Sequence, residues 1–121
     1  MLKKILIVDD EADVVEALET RLKAQNYSVI LARSGREALA KVKETRPDLI
    51  ILDIMMPGMD GTEVGHVLKN DKSTKDTPII FLTALQTKKD EEKGAEIGRD
   101  TVFAKPFEFH KLLAKIKQLI G

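Results

Sequence analysis

Cysteine and tryptophan are both absent from the 121 residues, only five aromatic side chains occur (four Phe, one Tyr), and proline appears four times. Without cysteine there is neither a disulfide framework nor a thiolate zinc site, and the fold must rest on its apolar core. At this length a chain buries roughly two-thirds of the surface it exposes when unfolded, which suffices for one domain over residues 1–121. Net charge of one sign is also lacking: 20 Lys and Arg balance 20 Asp and Glu. The balance supplies no long-range attraction for nucleic acid or an anionic membrane. No apolar run is long enough to span a bilayer, and the Met1 end runs into Lys3-Lys4-Ile5-Leu6 without a small-residue cleavage site. Both features direct the reading to a cytoplasmic protein, in which the Asn26-Tyr27-Ser28 sequon has no use.

What is present is a repeating alternation. Five short apolar runs, at Ile5 to Val8, Tyr27 to Ala32, Leu49 to Leu52, Ile79 to Leu82 and, more weakly, Val102 to Ala104, are rich in β-branched residues and predict strands. Three of them are continuously apolar, as parallel strands covered on both faces should be. Helical spacing fills the intervals. It is carried by Val14, Val15, Leu18 and Leu22, by Ala38, Leu39 and Val42 after a capping box at Ser34 to Glu37, and by Val64, Val67 and Leu68. A fourth segment, Thr87 to Ile97, is charged and should be the most loosely packed. The fifth, from Phe109 to Ile120 and closed by Gly121, has the clearest apolar stripe. Five strands alternating with five helices give an α/β fold, a doubly wound five-stranded parallel sheet of order 2-1-3-4-5 in the flavodoxin-like manner.

The polar residues at the strand ends then become informative. The first strand runs into Asp9-Asp10, the third into Asp53, the fourth into Thr83 and the fifth into Lys105-Pro106. In an open parallel sheet the carboxyl ends share one edge, where ligands bind. Three carboxylates meeting there repel one another unless a cation neutralises them, and an all-oxygen donor set favours Mg²⁺, with Mn²⁺ as a substitute. A screened aspartate is also a nucleophile toward phosphorus. A lysine and a hydroxyl nearby are suited to holding phosphoryl oxygens.

Four ordered motifs, Ile7-Val8-Asp9-Asp10, Leu52-Asp53 through Asp60-Gly61, Thr83-Ala84 and Lys105-Pro106-Phe107, resemble the receiver domain of two-component response regulators from Lys3 to Ile120. The resemblance implies that Asp53 is the phosphoacceptor and that Asp10, Asp53 and the Met55 carbonyl ligate the metal, with Asp9 acting through bound water. It implies that Thr83 and Lys105 contact the phosphoryl group, that the Lys105-Pro106 bond is cis, and that Gly58 and Gly61 shape the loop after Asp53. The phosphoryl donor would be a histidine kinase or a histidine phosphotransfer protein. The domain would catalyse its own phosphorylation and hydrolysis without being an enzyme toward other substrates. Output would reach a downstream protein through the surface of the fourth helix, fifth strand and fifth helix. The reading leaves open a stand-alone receiver and one excised from a longer regulator.

One position departs from the family pattern. The aromatic residue expected three before the lysine is Val102, and Phe103 beside it should face the other side of the sheet, so the aromatic half of the switch is expected to be altered or absent. Met55 and Leu85 are both apolar at positions that tune phosphoryl lifetime in the family, which predicts slow hydrolysis.

Competing readings are weaker. Asp9 or Asp10 alone would suit a helix cap, and Thr83 and Lys105 alone an ordinary strand end and a solvated loop. His66 and His110 have no partners at ligand spacing and read as surface residues. Met55, Met56 and Met59 read as packing, and Lys88 to Lys93 as a solvated helix face. Neither a glycine-rich dinucleotide fingerprint nor a P-loop occurs. The paired aspartates of haloacid-dehalogenase phosphatases are missing, and there are few rings to sandwich a flavin. A binding module that keeps the pocket but has lost switching is the remaining alternative.

Overall fold

A computed structural model describes residues 2–83, 102–105 and 107–121, and they form the expected sheet. Strands β1 (Lys4–Val8), β2 (Ser28–Ala32), β3 (Leu49–Asp53), β4 (Ile79–Thr83) and β5 (Val102–Ala104) are all parallel, in the order β2-β1-β3-β4-β5. Helices α1 (Ala12–Ala24), α2 (Gly35–Thr45) and α3 (Gly61–Lys69) and the C-terminal helix (Phe109–Ile120) connect and cover them. The helix expected over Thr87 to Ile97, Leu85 and the geometry of the bond to Pro106 lie outside the described residues.

Strand alternation divides the core in two. Ile5, Ile7, Leu49, Ile51, Ile80 and Leu82 pack on one face against Val15, Leu18 and Leu22 of α1 and Leu112 and Ile116 of the C-terminal helix. Leu6, Val8, Ile50, Leu52, Ile79 and Phe81 pack on the other against Ala38 and Val42 of α2 and Val64 and Leu68 of α3. The residues of β1, β3 and β4 are buried almost without exception, which is why those runs are continuously apolar in sequence. Each fully buried Ile or Leu contributes ~1.5–3 kcal/mol, so the central strands anchor the sheet edge that carries the polar residues.

Several local features differ from the sequence reading. Strand two begins at Ser28, not Tyr27, because Asn26 takes a left-handed φ of 67° and turns the Tyr27 N–H back to the Leu22 carbonyl. Val67, expected on the buried face of α3, is exposed. Of the three methionines read as packing, Met56 and Met59 join the core, while Met55 is largely exposed. His66 and His110 are exposed, as expected.

The capping box exists in displaced form. Ser34 Oγ accepts the Glu37 N–H at 3.1 Å, but the Glu37 carboxylate accepts the N–H of Arg33 rather than that of Ser34. Ser34→Ala is expected to lower the unfolding free energy by about 1 kcal/mol, read from urea denaturation midpoints. An unchanged midpoint would show that the cap contributes nothing to α2.

Candidate functional site

The register of the sheet assembles the site. Val8 pairs with Leu52, Asp53 with Leu82 and Thr83 with Ala104. Residues 9, 53, 83 and 105 therefore emerge side by side where β1, β3, β4 and β5 end. Backbone hydrogen bonds continue past the strands and fix this edge: the Asp9 N–H donates to Ala32 O, the Ile54 N–H to Leu82 O, and the Lys105 N–H to Thr83 O at 2.7 Å.

Asp9 and Asp53 are buried (0% and 1% exposed), as is Thr83, whereas Asp10 is exposed. One oxygen from each of the three aspartates lies within 4.8 Å of the others, so the donor set is entirely carboxylate and two of its members are cut off from water. Asp9 does not cap α1 in the ordinary way. Its Oδ1 accepts the N–H of Glu11, the residue at the N-cap position, at 2.9 Å, and its Oδ2 faces Lys105. The N-cap residue itself makes no side-chain capping bond.

Lys105 is the counter-charge. Its Nζ donates to Asp9 Oδ2 at 2.7 Å and to Glu11 Oε1 at 3.0 Å, and stands 3.4 Å from Asp53 Oδ2 without hydrogen-bond geometry. Burial of the ammonium works to lower its pKa, but the bonds to Asp9 and Glu11 and the charges of Asp53 and Asp9 outweigh it and hold the group firmly protonated. One ammonium cannot neutralise three aspartates and a glutamate. The imbalance shows at Asp53, whose carboxyl is pushed up to about 6 by burial and by the charge of Asp9, against the pull of Lys105 and of the Met55 N–H on Oδ1. Asp53 Oδ2 is buried and accepts no hydrogen bond among the described residues. A buried, unpaired carboxylate oxygen in an all-oxygen cluster fits a hard divalent cation.

The loop after Asp53 is shaped around this point. Gly58 has a φ of +78°, which favours glycine. Gly61 opens α3 so close to β3 that a Cβ there would collide with the Asp53 carbonyl oxygen. Asp60 caps α3, its Oδ1 accepting the Glu63 N–H at 3.0 Å and the Thr62 hydroxyl at 2.5 Å. Sequence reasoning missed that cap, although Asp60-x-x-Glu63 repeats the pattern of Ser34 to Glu37. It also missed Glu11, whose only signal is its place directly after Asp9-Asp10.

The structure thus brings together Asp9, Asp10, Asp53, Thr83 and Lys105. Val102 and Phe103 lie on opposite faces of β5, Val102 against the α2 and α3 side with Phe81 and Leu52, and Phe103 against the side of α1 and the C-terminal helix.

A family model described as the response regulator receiver domain matches residues 5–117. The alkaline phosphatase synthesis transcriptional regulatory protein PhoP of Bacillus subtilis is 42% identical over 120 residues, covering 99% of this chain and 49% of its own length. The chain spans about half the length of the curated relatives it matches. Among solved structures, the Vibrio cholerae chemotaxis protein CheY4 superposes with a TM-score of 0.89 at 32% identity over 99% of this chain and all of its own. The receiver domain of a Syntrophus aciditrophicus signal transduction histidine kinase superposes at 0.92 with 36% identity, over 98% of this chain and 89% of its own. With the fold, the acidic edge and these matches in agreement, the chain belongs to the response regulator receiver domains of two-component signalling.

The raised Asp53 pKa has a measurable consequence in metal-free protein. The folded state binds the Asp53 proton more tightly than the unfolded state, so this group favours folding below its ordinary value of 3.8 and withdraws that support as pH rises through about 6. Asp53→Asn is therefore expected to raise the urea midpoint at pH 7.5 in EDTA, with the gain shrinking toward pH 4. An equal gain at both pH values would contradict this account of the site.

Proposed function

We propose that this domain accepts a phosphoryl group on Asp53 with the help of Mg²⁺ and passes the change of state to a downstream protein. The observation that carries the reading is the buried Asp53 carboxylate at the end of β3, with one oxygen lacking a hydrogen-bond partner among the described residues, beside Asp9, Asp10 and Lys105. Asp10, Asp53 and the Met55 main-chain carbonyl would hold the ion directly, Asp9 would act through bound water, and Mn²⁺ would substitute. When bound, the ion supplies the positive charge that lets two anions, carboxylate and phosphoryl, approach one another.

The chain's own residues then do the positioning. An Asp53 oxygen forms the new O–P bond while the P–N bond to the donor imidazole breaks, leaving the electron pair, and then a proton, on the departing ring nitrogen. Lys105 and the Thr83 hydroxyl hold the phosphoryl oxygens as they pass from donor to acceptor. In hydrolysis a water oxygen bonds to phosphorus as the P–O bond to Asp53 breaks, which restores the carboxylate and releases inorganic phosphate carrying the water's protons. Exposed Met55 has no group to orient that water, which supports slow autodephosphorylation.

The phosphoryl donor is proposed to be a sensor histidine kinase or a histidine phosphotransfer protein, and residues 1–121 are proposed to act as one receiver unit in the cytoplasm. Among the described residues no helix is long and apolar enough to cross a membrane. The output surface is proposed to include β5 and the C-terminal helix. The switch would run through Thr83 and the backbone that follows it, because Val102 offers no ring to move and Phe103 is packed on the opposite face.

Incubation with acetyl phosphate, followed by intact-protein mass, tests the reading. One phosphoryl increment is expected in the presence of Mg²⁺, and none with EDTA or in Asp53→Asn. Absence of the increment from wild type, under conditions that modify a control receiver, would favour a pocket retained for binding alone.

A further inference from the structure

The Lys105 ammonium has three N–H donors and is not aimed at the oxygen that most lacks a partner. Its two good hydrogen bonds go to Asp9, on the buried side, and to Glu11, on the rim, while the unpartnered Asp53 Oδ2 stands 3.4 Å away. Glu11 is 54% exposed, Asp9 buried and Lys105 only 10% exposed, so the ammonium is shared between a buried carboxylate and one at the rim. Glu11 is free to do this because its carboxylate does not cap α1, although it occupies the N-cap position. Its backbone is held in turn, since its N–H donates to Asp9 Oδ1.

We propose that Glu11 is a positioning residue that holds the Lys105 ammonium toward the rim in the unphosphorylated domain and competes with the incoming phosphoryl group for it. The proposal rests on the reading of Asp53 as phosphoacceptor. Phosphoryl oxygens on Asp53 would draw the ammonium inward from the rim, at the expense of its contact with Glu11. One partner of this ion pair, Glu11, is solvent-exposed, so breaking it is a modest penalty, and the tether sets a threshold for occupation of the site rather than blocking it.

Beryllofluoride, a non-covalent mimic of a phosphoryl group on a carboxylate, measures that competition without chemistry. Its affinity in excess Mg²⁺ can be read from amide shifts of ¹⁵N-labelled protein. Glu11→Ala removes the tether and its charge. Glu11→Asp keeps the charge but is one methylene shorter, and aspartate at an N-cap turns back to cap the helix, which leaves the fold intact and Lys105 released. Both variants are expected to bind the mimic about two- to fivefold more tightly than wild type. Asp13→Asn, which removes a neighbouring charge that forms no hydrogen bond or ion pair with Lys105, is expected to bind like wild type. Tightening in Glu11→Ala and Asp13→Asn but not in Glu11→Asp would assign the effect to general charge and overturn the tether. Equal affinity in all four proteins would overturn it as well. Failure of wild type to bind the mimic would overturn the phosphoacceptor reading itself, and the tether with it.

Discussion

The Lys105 ammonium stands between the ends of β1 and β3 and holds together an edge that would otherwise repel itself. Asp9 and Asp53 are buried within a few ångströms of each other, and burying like charges is unfavourable unless a counter-charge accompanies them. One lysine supplies part of that counter-charge, and the upward shift of Asp53 registers what is left over. The two halves of the apolar core keep the strand ends in register, so the carboxylates cannot relax apart. The site is therefore a scaffold carrying an uncompensated negative charge, a deficit that a divalent cation fits.

Rigidity of the central strands and adaptability of the rim follow from the same alternation. β1, β3 and β4 are covered on both faces and fix Asp9, Asp53 and Thr83. β5 is only three residues long and half-buried, and it carries Lys105 just beyond its end. The cationic partner thus sits just beyond the least buried of the four strands that build the site, which suits the exchange of carboxylate for phosphoryl oxygen proposed for it.

Much of this was legible in the sequence because it depends on patterns of period two and on strand ends. The continuous apolar runs of β1, β3 and β4 announced a sheet covered on both faces, and a parallel sheet forces Asp9, Asp53, Thr83 and Lys105 to one edge. Other features depend on contacts that spacing does not encode. The start of β2 was set by the left-handed turn at Asn26, and spacing alone did not show that Val67 and Met55 are exposed. Glu11 carried no signal beyond its place after Asp9-Asp10, and only the fold brings Lys105, just past the end of β5, within reach of its carboxylate. The division of Val102 and Phe103 between the two faces followed directly from strand alternation.

The central claim is that the carboxylate edge carries a charge deficit suited to a divalent cation. Calorimetric titration of Mg²⁺ into the protein at pH 7.5 tests it most directly, with Asp10→Asn as the comparison because Asp10 is exposed and makes no part of the core. The account predicts one binding site in wild type and a clear loss of affinity in Asp10→Asn. Absence of Mg²⁺ binding by wild type, or equal binding by Asp10→Asn, would contradict it.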